Sequence, residues 1–98
     1  MELDDLRVWH IRLRSELDEA RFDVGWQGPV ADRPKQSACL SIDGPDRLGE
    51  LIVWSTGEAQ LQLGDVASGE VLDEQLQLID ARQLAQVVTR MKAWVTGS

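Results

Sequence analysis

The sequence predicts an α+β fold: an N-terminal helix, an antiparallel meander of about five strands, and a C-terminal helix. Three observations carry this reading. Apolar residues recur at helical spacing at both ends of the chain, they alternate at strand spacing in between, and the alternating stretches are separated by short Gly, Pro, Asp and Ser turns. Short strands joined by tight turns run antiparallel, because parallel neighbours need long crossovers. A chain of 98 residues has the size of one domain. We expect residues 1–96 to form it, with 97–98 a disordered tail or a cloning remnant.

The first helix rests on Leu3, Leu6, Trp9, His10, Leu13, Leu17 and Ala20, which share one helical face. Asp4 and Asp5 in its first turn suit the positive end of the helix dipole. The period then changes: Phe22, Val24 and Trp26 alternate with Arg21, Asp23, Gly25 and Gln27. Residues 28–36, with Pro29 and Pro34, read as a loop. Ala38, Leu40 and Ile42 mark the second strand, and Gly44-Pro45-Asp46 the turn after it. The run Leu51-Ile52-Val53-Trp54 is apolar on both faces, which predicts a central strand covered on both sides. Ala59, Leu61 and Leu63 give the fourth strand, and Leu72, Leu76 and Leu78 the fifth. Asp80 and Gln83 form a capping-box-like pair ahead of the stripe Leu84, Val87, Val88, Met91, Trp94 and Val95, and Gly97 stops that last helix. Both helices are expected to supply apolar stripes to the meander, on one face or on both.

Composition excludes several classes of function. A lone cysteine forms no internal disulfide. Cys39 and the single His10 fall short of the four ligands of a structural zinc site. No apolar run approaches the roughly 18 residues of a membrane span, and the acidic start Glu2-Leu3-Asp4-Asp5 is unlike a signal peptide. We therefore expect a cytoplasmic protein with no membrane partner. An acidic chain of net charge −7 lacks the basic footprint for direct nucleic-acid binding.

No enzyme is expected either. The glycines sit singly in turns, so no phosphate loop forms, and no nucleophile motif is present. Asp73 and Glu74 point to opposite faces of a strand and make no catalytic dyad. No Asp-rich loop of calcium-binding spacing occurs. We assign no catalytic, metal or cofactor-binding residues. His10 is read as a core or boundary histidine bonded to a backbone carbonyl, and Cys39 as a buried structural thiol. Among the four tryptophans, Trp9 and Trp94 lie on helix stripes and read as core. Trp26 and Trp54 end strands, where they serve either the core or an interface.

Charge is concentrated. Residues 43–80 hold nine acids (Asp43, Asp46, Glu50, Glu58, Asp65, Glu70, Asp73, Glu74 and Asp80) and one base, Arg47, whereas residues 81–98 hold three bases and no acid. A field of one sign is either a solvated face that keeps the protein soluble or a surface that steers an oppositely charged partner.

The stretch Ser37-Ala38-Cys39-Leu40-Ser41-Ile42-Asp43, then Leu48-Gly49-Glu50-Leu51-Ile52-Val53-Trp54, Gly57, and Gly64-Asp65-Val66-Ala67-Ser68-Gly69-Glu70, followed by a helix, resembles the TriTu-type immunity proteins of bacterial polymorphic toxin systems. The family's Glu after the strand-ending Trp is absent here, where the turn reads Ser55-Thr56-Gly57. The resemblance implies a protein that binds a cognate toxin, the C-terminal domain of an effector, and blocks its active site or substrate access. An acidic meander complements a basic toxin cleft. On this reading the partner-binding residues are Asp65, Glu70, Asp73 and Glu74, with Glu58 and Trp54 next. The competing reading is a small acidic effector or secretion chaperone, which differs in being dimeric and promoting export.

Overall fold

A computed structural model of the chain describes residues 2–29 and 36–97. Most of the predicted 28–36 loop, with Arg33 and Lys35, lies outside the described residues, as does Ser98. The elements follow in the expected order: α1 (Asp4–Glu16), β1 (Asp23–Gln27), β2 (Ser37–Asp43), β3 (Arg47–Trp54), β4 (Glu58–Asp65), β5 (Val71–Gln77) and α2 (Ala81–Thr96). The five strands form one antiparallel sheet in sequence order, β1-β2-β3-β4-β5. The fold class is α+β, as the periodicities predict.

Both helices pack on the same face of the sheet. Ala38, Leu40 and Ile42 of β2, Leu51 and Val53 of β3, and Ala59, Leu61 and Leu63 of β4 are buried there. Leu6 and Leu13 of α1 and Leu84, Val88, Met91 and Val95 of α2 join the same apolar cluster. Each such Leu, Ile or Val contributes about 1.5–3 kcal/mol on leaving water. Gly49 sets how closely α2 approaches β3: a Cβ placed there would stand 2.5 Å from Met91 Cγ.

The first helix is shorter than the apolar stripe suggests. It ends at Glu16, and Ala20 is exposed in a turn. The cause is Asp18, whose carboxylate accepts from the Ala20 N–H at 3.0 Å while its carbonyl accepts from the N–H groups of Arg21 and Phe22. An aspartate that satisfies nearby backbone locally competes with helix continuation. At the other end the capping prediction is met. Asp80 accepts from the Gln83 N–H at 3.0 Å, and Gln83 accepts from the Ile79 N–H at 2.7 Å. Gly97 closes α2 in the left-handed conformation at φ +75°.

One expectation is corrected. The strand β3 is central, but it is not covered on both sides. Among the described residues no helix lies on the second face, and Ile52 and Trp54 remain partly exposed on it.

Candidate functional site: the open face of the sheet

The uncovered face follows from strand alternation and register. Asp23, Asp43, Leu48, Gly64 and Val71 form one row across the five strands. The next holds Gly25, Ser41, Glu50, Gln62 and Asp73, and the third Gln27, Cys39, Ile52, Gln60 and Gln75. Ser37 opposite Trp54, and Glu58 opposite Gln77, complete the far end. Five carboxylates stand on this face: Asp23, Asp43, Glu50, Glu58 and Asp73. No Lys, Arg or His accompanies them among the described strand residues.

Apolar side chains are interleaved with acids on this face: Leu48, Ile52 and Trp54 follow one another along β3 with Glu50 among them, and Val71 is exposed on β5. Ile52 and Trp54 sit on the central strand, with two shallow depressions beside them. One, of about 400 Å³, is lined by Trp54, Glu58, Gln60, Gln75 and Gln77. The other, of about 350 Å³, is lined by Gln27, Ser37, Cys39, Glu50 and Ile52. Exposed apolar and aromatic side chains set among polar ones are features of a docking surface.

The carboxylates are positioned in different ways. Asp73 accepts from Gln60 Nε2 at 3.1 Å and Gln62 Nε2 at 3.4 Å. Those neutral donors orient its carboxylate and leave its charge uncompensated. Asp23 and Asp43 are direct cross-strand neighbours, an arrangement that destabilises a strand pair. Glu50 faces Cys39: burial, then the Glu50 charge and hydrogen bond, push the thiol up to about 11. Cys39 is half-buried on the open face rather than buried, because it alternates with the core residues Ala38 and Leu40, and it is protonated and poorly nucleophilic at neutral pH.

The six residues singled out in the sequence do not form one patch. Trp54, Glu58 and Asp73 share the open face. Glu74 lies on the opposite, helix-bearing face and is ion-paired with Arg90 of α2. Asp65 is occupied within the fold: its Oδ1 accepts from the N–H groups of Ala67 and Ser68 at 3.0 and 3.2 Å. Its Oδ2 lies 3.6 Å from Arg47 Nε. Glu70 is exposed at the β4–β5 hairpin tip, where its carbonyl accepts from the Asp65 N–H at 2.9 Å. The residues missed were Glu50, Asp43 and Asp23. Their signal was parity: Asp43 and Glu50 alternate with the buried leucines and isoleucine of their strands, and Asp23 with the half-buried Val24 and Trp26.

Among the described residues no group of three or more His, Cys, Asp or Glu is arranged to hold a metal ion, and no helix is long and apolar enough to cross a membrane. His10 stacks on Trp26 with ring centroids 6.0 Å apart and hydrogen-bonds the Val24 backbone.

Among the described residues one face of the sheet carries no helix and presents apolar side chains among acids, a form suited to binding another protein. The family model for the immunity protein TriTu matches residues 4–94, and the chain belongs to that family. No curated protein matches the chain.

Proposed function

We propose that this chain neutralises a cognate toxin domain by laying the open face of its sheet over a basic active-site or substrate cleft. The observation that supports it most is the central strand β3, which no helix among the described residues covers on this face. Leu48, Ile52 and Trp54 present apolar surface along it, and Asp23, Asp43, Glu50, Glu58 and Asp73 place negative charge among and beside them. Desolvated aromatic anchors supply affinity at such surfaces, and the surrounding charge supplies orientation and association rate. Trp54, Glu58 and Asp73 then serve as partner-binding residues, with Glu50 and Asp43 beside them. Asp65 and Glu74 act within the fold, and Glu70 contributes at the margin. The mechanism is steric occlusion in the cytoplasm of the protected cell, without catalysis, cofactor, membrane or direct nucleic-acid contact.

The test is growth of a bacterial host expressing the toxin domain encoded immediately upstream, with and without this protein. Rescue by the wild type, lost on replacing Trp54 and Ile52 by polar residues in a chain that still folds, is expected. Toxicity that the wild type does not relieve would overturn the reading.

A further inference from the structure

The sheet has two edges, and they differ. At β1 the edge is five residues long, and α1 reaches it: His10 hydrogen-bonds the Val24 backbone and stacks on Trp26. The other edge, β5, runs for seven residues, and among the described elements only β4 lies beside its backbone.

Register shows which backbone groups this edge presents. The Asp65 N–H donates to the Glu70 carbonyl, and the Leu78 N–H to the Gly57 carbonyl. Hydrogen-bonded pairs of an antiparallel ladder recur every second residue, so Leu72, Glu74 and Leu76 direct their N–H and C=O groups to β4. Val71, Asp73, Gln75 and Gln77 direct theirs outward. These same four residues carry their side chains on the open face. On the helix side the edge exposes Leu72, at 49%, beside the Glu74–Arg90 pair.

We propose that the β5 edge accepts an extended segment of the toxin as a sixth strand, so that the sheet continues into the partner. This inference rests on the immunity reading above. The incoming strand carries Lys or Arg opposite Asp73, whose carboxylate is oriented by Gln60 and Gln62 yet keeps its charge. The next residue of the incoming strand falls opposite Leu72 and is apolar. Backbone bonds supply affinity in strand addition, and alternate side chains supply specificity. A second copy of this chain fits poorly. The antiparallel register that pairs all seven residues sets Glu74 against Glu74 of the copy, and it brings together two chains of charge −7.

The test is binding of the purified upstream-encoded toxin domain to Gln75→Pro and Gln75→Ala. Proline at Gln75 removes an outward N–H and leaves the β4 ladder intact, as proline on edge strands does. We expect Gln75→Pro to weaken binding by about tenfold or more, and Gln75→Ala by about twofold or less. Equal affinities of the two variants overturn the proposal while leaving the immunity reading standing. Backbone amide exchange on the wild-type chain gives the second measurement, independent of how the proline variant folds. The Asp73 and Gln75 amides are expected to exchange fast in the free protein and slowly in the complex. Unchanged exchange overturns strand addition, and protection that rises with concentration of the free chain assigns the edge to a second copy instead. A wild type that fails to bind the toxin removes both readings together.

Discussion

The Arg47 guanidinium lies over the Trp94 indole, 4.2 Å from the ring centroid, and joins the end of α2 to the sheet. Three further contacts fix the pair: Arg47 donates to the Trp94 carbonyl at 3.2 Å, Trp94 Nε1 donates to the Gly64 carbonyl at 3.2 Å, and Arg47 Nε lies 3.6 Å from Asp65 Oδ2. The sole base of the acidic 43–80 segment is thus held on the helix side, and the described strand residues of the open face carry only negative charge. Replacing Arg47 by Met is expected to cost about 1 kcal/mol of stability, from the lost cation–π contact and the ion pair. Toxin affinity should stay within about twofold. Denaturant unfolding and a binding isotherm check the two halves.

The Asp23–Asp43 pair predicts a trade-off. Like charges opposite one another destabilise a strand pair, so Asp43→Asn should stabilise the chain by about 0.2–1 kcal/mol. If the face docks a basic partner, the same change should weaken and slow toxin association. A variant that is more stable and binds as well as the wild type contradicts a docking role for this row.

Cys39 offers a chemical probe of the face. With its thiol pushed up to about 11, roughly one molecule in ten thousand is thiolate at neutral pH. Alkylation by iodoacetamide should therefore be far slower than that of a free cysteine. Glu50→Gln removes the charge that helps hold the thiol protonated and leaves only a neutral amide oxygen to accept from it, so it should lower the Cys39 pKa and speed the reaction. An unchanged rate in Glu50→Gln would show that Glu50 does not face the thiol.

Stability should fall in mild acid because of His10. Burial, then the Arg14 guanidinium, hold its imidazole below the ordinary value of 6.5. The unfolded chain then binds a proton that the folded chain resists, so stability decreases as pH drops through 6.5. His10→Gln should remove that slope. Glu16 acts in a separate, lower window. The Lys92 hydrogen bond holds its carboxyl below 4.5, so its contribution is present above 4.5 and is lost as the pH falls further. Denaturant midpoints followed through both windows for the wild type and His10→Gln check this.

Much of the fold was legible in the sequence because each element is locally consistent. The period changes cleanly from helix to strand to helix, and Asp80, Gln83 and Gly97 punctuate α2 as their chemistry predicts. The end of α1 was not legible: Leu17 and Ala20 keep the helical spacing, and only the Asp18 backbone bonds end it. The apolar run of β3 was read as covered on both sides because a hydrophobic pattern does not say what covers it. The acidic segment was visible as composition, but its division between two faces needed the register of five strands. Asp73 and Glu74 look equivalent in the chain, yet one lies on the open face and the other is paired with Arg90. Glu50, set between Gly49 and Leu51, emerges as a site residue only when Ser41, Gln62 and Asp73 are seen to share its row.

The most direct measurement of a docking role for the open face is the toxin affinity of Glu50→Lys/Asp73→Lys beside that of Glu2→Lys/Glu19→Lys. Both double variants change the net charge equally, and only the first places its lysines on the open face. The account predicts a loss of about a hundredfold or more for the face variant, with a weakened salt dependence, and a change of about threefold or less for the control. Equal losses, or none in either, would contradict it.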